Sequence, residues 1–359
     1  MKLNVEEFEK YKKQFNSFLD NLGSEEKVGI IAHANCTDGM ASTVFLVEIL
    51  KKRYPLLKSN IMFLSYTAGA LDKLGERYLN EGISKAFVLD LNADVSLFDE
   101  FENFRKKFDV LFIDHHPINP KLIIDNKVIK TISADCTSLT LFRFGEGLID
   151  YDVWSWLVCI ACVSEFSWKK EENLKFIQKY YPSYVPGDES SDLLKLVHKI
   201  NSLVTYYSKD SMKAYQIILD KDFDKINLIH EEVNAETSRC LKDFEENAEV
   251  YFDKHLYFYF FKSRFSIGST VSTILSVMHR GSTIIILSEV EETDLMKVSA
   301  RNNGEPLLYS MNEMLKSGVV GLEGAMAGGH APASGGSFLR KDIDKFKEQV
   351  KEFVNGKIN

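Results

Sequence analysis

Residues 27–39 read KVGIIAHANCTDG, and this stretch decides the fold. Its first seven residues, KVGIIAH, form a short β-branched apolar run of the kind buried in a parallel sheet. The run ends on His33 and breaks into a turn offering Asn35 and Asp38. MASTVFLVEILKKRY follows with helical periodicity and closes on basic residues, which suit a helix C-terminus. Strand, polar turn and helix together begin a βαβ unit. Working outward, IMFLSY (61–66), KAFVLDL (85–91) and DVLFID (109–114) read as further strands, with amphipathic segments between them. TSLTLFRFGEGLI and VWSWLVCIACV read as helices. The alternation predicts an α/β fold with a parallel sheet covered on both faces.

At 359 residues the chain exceeds one ordinary core, and about two domains are expected. From about 171 the pattern turns polar and helical. A second α/β pattern then follows: HLYFYFF, STIIILSEV and MKVSAR as strands, a glycine-dense stretch from Gly318 to Gly336, and a last helix, KDIDKFKEQVKEFV. The boundaries read as 1–205 for a parallel-sheet domain, 206–250 for a helical connector and 251–359 for a smaller α/β domain. The hydrophobic share is 45% and the charged share 27%, as in soluble globular proteins. A net charge of −8 argues against an extended basic track for long nucleic acid. The N-terminal segment places Leu3, Phe8, Phe15, Phe18 and Leu19 among charges at helical spacing, which reads as a docking helix and not a signal peptide. No run approaches a membrane span. Five scattered cysteines favour free thiols and a cytoplasmic setting. The Cys159–Cys162 pair lies in an apolar helix and reads as buried thiols.

The chemistry gathers where strands end. The first delivers His33, with Asn35 and Asp38 just beyond. The third delivers Asp90, and the fourth Asp114, His115 and His116. In an open α/β sheet, ligands bind beyond the carboxyl ends of the strands. Taken singly, Asp38 or Asp90 reads as a cap or turn former and His33 as a core histidine. Three titratable groups in a row after an apolar strand are costly to bury without partners. Read jointly, carboxylates and imidazoles at one edge suit Mn²⁺, Mg²⁺ or Zn²⁺.

In order, HANCTDGMAS, VLDLNAD, FIDHHPI and the late AGGHAPASGG resemble the motifs of the DHH phosphoesterase family with its DHH-associated C-terminal domain, over about residues 27–340. The resemblance implies an N-terminal DHH domain, a smaller α/β C-terminal domain and an active cleft between them. It implies a two-metal centre, Mn²⁺ first and Mg²⁺ or another divalent ion next. His33, Asp38, Asp90, Asp114 and His115 would be its ligands, with Asp90 bridging. Asp114, His115 and His116 would be the catalytic group, His116 orienting other groups or donating a proton. The first motif departs from the common form, because Thr37 and Gly39 stand where acids are usual. Asn35 is then a weak ligand or substrate contact, and Cys36 a soft donor. The late acid falls to Glu165, with Asp152 and Asp135 as competitors.

In the second domain the resemblance implies substrate contacts from Ser299, Arg301, Gly328, Gly329, His330, Gly335 and Gly336. An anion nest of glycine amides would back them. Phe142, Phe144 and Tyr309 read as core before they read as base-stacking platforms. The implied activity is metal-dependent hydrolysis of short single-stranded oligonucleotides to mononucleotides. A cyclic-dinucleotide or small-nucleotide phosphodiesterase is one alternative, and a degenerate nucleotide-binding scaffold without catalysis another. A homodimer is compatible with this reading, and a membrane partner is not expected.

Overall fold

The computed structural model describes residues 5–132, 134–290 and 293–358, so Leu3 lies outside the described residues. The chain divides into two compact units, residues 1–230 and 231–359. The helices expected as a separate connector over 206–250 are shared between these units. The division falls inside the long helix Phe223–Asn247.

The first unit opens with α1 (Val5–Asp20), β1 (Lys27–His33), α2 (Thr37–Arg53), β2 (Lys58–Leu64), α3 (Ala70–Asn80) and β3 (Lys85–Leu89). It continues with α4 (Ala93–Ser96), α5 (Phe98–Lys107), β4 (Asp109–Asp114), β5 (Val128–Lys130), α6 (Thr137–Phe144) and α7 (Tyr151–Ser164). Helices α8 (Glu171–Tyr180), α9 (Asp192–Tyr206), α10 (Ser211–Asp220) and α11 (Phe223–Asn247) follow. The five strands are all parallel, in the order β2-β1-β3-β4-β5. The expected bounds of the first and fourth strands are those observed. The second begins earlier, at Lys58, and the three-residue β5 was not anticipated.

The central strands are apolar throughout because both faces are covered. Ile31, Val88 and Phe112 pack with Leu71, Leu74 and Tyr78 of α3 and with Phe101 and Phe104 of α5. Helix α2 buries residues nearly all round, from Met40 to Leu50, so it is an internal element. In α1, Phe15, Phe18 and Leu19 are buried, as the periodicity of the N-terminal segment predicts. Cys136, Cys159, Cys162 and Cys240 are free and buried.

The second unit holds β6 (Glu249–Tyr251), β7 (Leu256–Phe261), α12 (Gly268–Met278), β8 (Thr283–Glu289), β9 (Leu295–Arg301), α13 (Met311–Gly318), β10 (Met326–Gly329), β11 (Ala333–Leu339) and α14 (Ile343–Ile358). Its six-stranded mixed sheet runs β10-β11-β9-β8-β7-β6, with β7 and β8 parallel and the other neighbours antiparallel. Phe258, Leu287, Met296 and Phe338 pack against Met314, Phe346 and Val350 of the terminal helices. No helix among the described residues is long and apolar enough to cross a membrane.

Candidate metal centre

The strand register aligns the chemistry. Ala32 pairs with Leu89, and Leu89 with Ile113. The next residues, His33, Asp90 and Asp114, therefore fall at one level across β1, β3 and β4. Asp114 pairs in turn with Lys130 on β5, extending the row to a fourth strand. The strand order reverses direction between β1 and β3. That is the switch point at which an open α/β sheet leaves a crevice beyond its carboxyl edge.

The backbone at this edge is strained. Asn35, Asp90 and Phe166 have φ values of 58°, 50° and 54°. Left-handed backbone costs a residue with a Cβ about 1–2 kcal/mol and persists where the surroundings enforce it. Gly39 serves close approach instead: a Cβ there would lie 2.5 Å from the carbonyl oxygen of His33. Only glycine lets α2 start so near the end of β1.

Asp90 is wholly buried. Its Oδ2 accepts from the Cys36 thiol at 3.2 Å. Its Oδ1 makes no well-formed hydrogen bond among the described residues, with His115 Nε2 at 3.3 Å. Burial and the neighbouring Asp38 push its pKa well above the usual carboxylate range.

His115 Nε2 also lies 3.8 Å from Asp38 Oδ2 and 4.0 Å from Glu165 Oε2. Burial alone would lower the pKa of this ring, but Asp90 and Asp38 outweigh it and push it up to about 11. The neighbouring carboxylates thus favour a cationic group at this position. His33 is the opposite case. Burial and the charge of His116 lower it to about 4, and its buried Nδ1 has no hydrogen-bond partner among the described residues. A neutral imidazole with an uncommitted nitrogen is suited to ligation.

Two donor groups result, and both contain Asp90. One is His33, Cys36 and Asp90; the other is Asp90, His115 and His116. Within each, the donor atoms lie within 4.8 Å of one another. Surplus negative charge, the uncommitted His33 nitrogen and a buried carboxylate oxygen fit divalent cations.

Glu165 joins them. It ends α7 with Oε1 3.7 Å from Cys36 Sγ, and burial and Asp38 raise its pKa. Its two competitors lie elsewhere. Asp152 is exposed in the first turn of α7. Asp135 is buried but accepts from Lys170 Nζ at 2.8 Å and from Asn173 Nδ2 at 2.9 Å.

Two expected ligands are otherwise engaged. Asp38 Oδ2 accepts the backbone N–H of Thr137 at 2.8 Å, and Oδ1 that of Ser138 at 2.9 Å. The carboxylate thereby holds the N-terminus of α6, where orphan amides and the helix dipole favour an anion. Asp114 Oδ1 lies 2.8 Å from His116 Nδ1, and Oδ2 accepts from Lys130 Nζ at 2.5 Å. Burial would raise the Asp114 pKa, but His116 and Lys130 hold it down at about 2. An ionised carboxylate only accepts, so Nδ1–H of His116 is the donor and Nε2 is the nitrogen of that ring left uncommitted by Asp114. Lys130 also donates to Asp94 Oδ1 at 2.8 Å.

Four residues of this edge were not singled out from sequence. Lys130 and Asp94 form the buried charge network behind Asp114, and Asp94 lies inside the VLDLNAD motif. Tyr66 packs against His33 with the rings tilted and their centroids 4.9 Å apart. Phe166 is an exposed aromatic next to Glu165. Asn35, the expected weak ligand, is exposed in the turn after β1.

In the second unit, the glycine stretch is a β-hairpin and not an irregular nest. Gly328 pairs with Gly335, Ala327 with Gly336, and Gly329 with Ser334, so their amides belong to paired strands. Only Gly329 among these has a positive φ, 141°, and a Cβ there would strike the Ala333 carbonyl at 2.6 Å. His330 is exposed at the hairpin turn. Ser299 Oγ lies 2.8 Å from Ser272 Oγ. Arg301 donates to Ser269 Oγ at 2.8 Å and to the Ser334 carbonyl at 3.2 Å. Phe142, Phe144 and Tyr309 are all buried in the core.

A parallel sheet with an acid and histidine cluster at its switch point defines the class, an open α/β domain. Residues 27–152 match the DHH family, N-terminal domain. Over 96% of its length the chain is similar to RecJ in complex with Mn²⁺ from Thermus thermophilus, with 15% identity and a TM-score of 0.64; it spans 55% of that chain. It is similar to exonuclease RecJ bound to manganese over 96% of its own length and 94% of the other, at 14% identity and a TM-score of 0.66. An exopolyphosphatase-related protein from Bacteroides fragilis matches over 98% of both chains at 15% identity, with a TM-score of 0.55. At these identities the likeness establishes a shared fold. No curated protein matches the sequence.

Proposed function

We propose that the chain is a divalent-metal-dependent phosphodiesterase that hydrolyses short single-stranded oligonucleotides to mononucleotides. One observation carries the reading: the buried Asp90 carboxylate belongs to two donor groups at the switch point, inside a surplus of negative charge. His33, Cys36, Asp90, His115 and His116 would hold two divalent ions, with Glu165 beside them. Manganese is the first choice because two similar structures are described as bound to it. Bound divalent cations supply neutralisation of phosphoryl oxygens and a water of lowered pKa.

The chain's own side chains do the rest. Asp90 fixes the spacing of the two groups from the level at which β3 ends. Asp114 would hold the tautomer and plane of His116 through Nδ1, leaving Nε2 as that ring's ligating nitrogen. Lys130 keeps Asp114 ionised. Arg301, with its planar fork of donors, grips a phosphate remote from the reacting one, and His330 assists it. The five free cysteines suit a reducing compartment such as the cytoplasm.

The test is mononucleotide release from a dinucleotide RNA, with cyclic di-AMP and a nucleoside bisphosphate as competing substrates. Each is assayed with Mn²⁺ and with a chelator, in wild type and Asp90→Asn. Metal-dependent release from the dinucleotide, lost in the variant, is expected. Preference for the cyclic or bisphosphate substrate would move the reading to those classes. Tight nucleotide binding with no turnover would make the chain a binding scaffold, which the engagement of Asp38 and Asp114 elsewhere would then explain.

A further inference from the structure

We infer that the two donor groups around Asp90 differ in softness, so that the His33–Cys36–Asp90 position selects a thiophilic ion such as Zn²⁺, Co²⁺ or Cd²⁺ through a Cys36 thiolate. The Asp90–His115–His116 position keeps a taste for harder ions such as Mn²⁺. The inference rests on the proposed divalent-metal reading of this edge and specifies which ion each half prefers.

Three observations carry it. Cys36 Sγ, His33 and Asp90 present donor atoms within 4.8 Å of one another, a sulfur, a nitrogen and an oxygen around one point. Asp90 is buried and its Oδ1 makes no well-formed hydrogen bond, and the buried His33 Nδ1 has no partner among the described residues. Two donors besides the cysteine are therefore available at the same place. Finally, the thiol hydrogen of Cys36 points at Asp90 Oδ2, 3.2 Å away. When a divalent ion enters, the S–H bond breaks, a sulfur–metal bond forms and the proton leaves to solvent, so no oxidant or reductant is needed. The other group contains no sulfur. Thiolate ligands select soft and borderline ions, whereas carboxylate and imidazole alone discriminate little against Mn²⁺.

The test loads the metal-free full chain with Co²⁺ and records its near-ultraviolet absorption and its bound-metal content, in wild type and in Cys36→Ser. Thermal unfolding confirms that the variant is folded. A sulfur-to-cobalt charge-transfer band in wild type, lost in Cys36→Ser while Co²⁺ still binds, is the expected result. Cd²⁺ should displace one Mn²⁺ from wild type and lose that advantage in the variant. Cobalt bound without the band, or a band that survives Cys36→Ser, overturns the thiolate assignment and leaves the phosphodiesterase reading standing. Failure of wild type to bind any divalent ion overturns both.

Discussion

Lys130 Nζ, at the end of β5, donates to Asp114 Oδ2 at the end of β4, and the two residues are register partners. The Lys130 side chain is 7% exposed and that of Asp114 fully buried, so the pair is an internal ion pair completed by Asp94. Removing one partner of a buried pair leaves an uncompensated charge and costs about 3–5 kcal/mol. Lys130→Met should lower the unfolding temperature sharply. It should also lower kcat with little change in KM, because Asp114 no longer fixes His116. Lys130→Arg should recover part of both. Stability retained in the Met variant would show that the network contributes nothing.

Asp38 is a helix cap across 99 residues of chain. Asp38→Asn keeps one acceptor oxygen and loses the charge, at about 1 kcal/mol. The loss should appear equally in metal-free and metal-loaded protein. Destabilisation confined to the metal-loaded form would assign the carboxylate to the metal.

Gly39→Ala places a methyl group 2.5 Å from the His33 carbonyl oxygen, a backbone atom that cannot swing aside. Overpacking of this kind costs about 1–3 kcal/mol. Because the displaced residue is a proposed metal donor, metal affinity should fall together with the unfolding temperature. Calorimetric titration with Mn²⁺ reads the first and a thermal melt the second.

Arg301→Ala should raise KM for a dinucleotide while leaving kcat nearly unchanged, since the group it holds is remote from the reacting phosphorus. Burial lowers the pKa of this guanidinium, and an anionic partner would offset that cost. A pure kcat loss would place Arg301 at the chemistry instead.

Much of the first unit was legible because parallel strands announce themselves. KVGIIAH and DVLFID are apolar runs that stop at polar residues, and the structure ends β1 and β4 at those residues. The chemistry at strand ends was legible for the same reason, since a buried run closing on His33 or Asp114 needs a partner. Three things were not legible. The Asp38 cap joins α2 to α6, a contact between residues 99 and 100 positions apart that no local pattern encodes. Strand β5 has three residues, too few for a period, and it alone delivers Lys130. The glycines of AGGHAPASGG suggested a loop because glycine is read as a breaker. Here they pair closely as strands, where Gly336 spares a clash with the Met326 carbonyl.

His33, Asp114 and Lys130 close β1, β4 and β5, and Asp90, the residue after β3, stands level with them. Side chains alternate between faces along a strand, so deleting one residue within β3 would turn Asp90 towards the opposite layer. Such a deletion should leave a folded sheet that lacks the metal binding proposed for this edge. Length changes should therefore be tolerated in the segments before these strands and forbidden within them, making hydrogen-bond alignment itself a determinant of the chemistry.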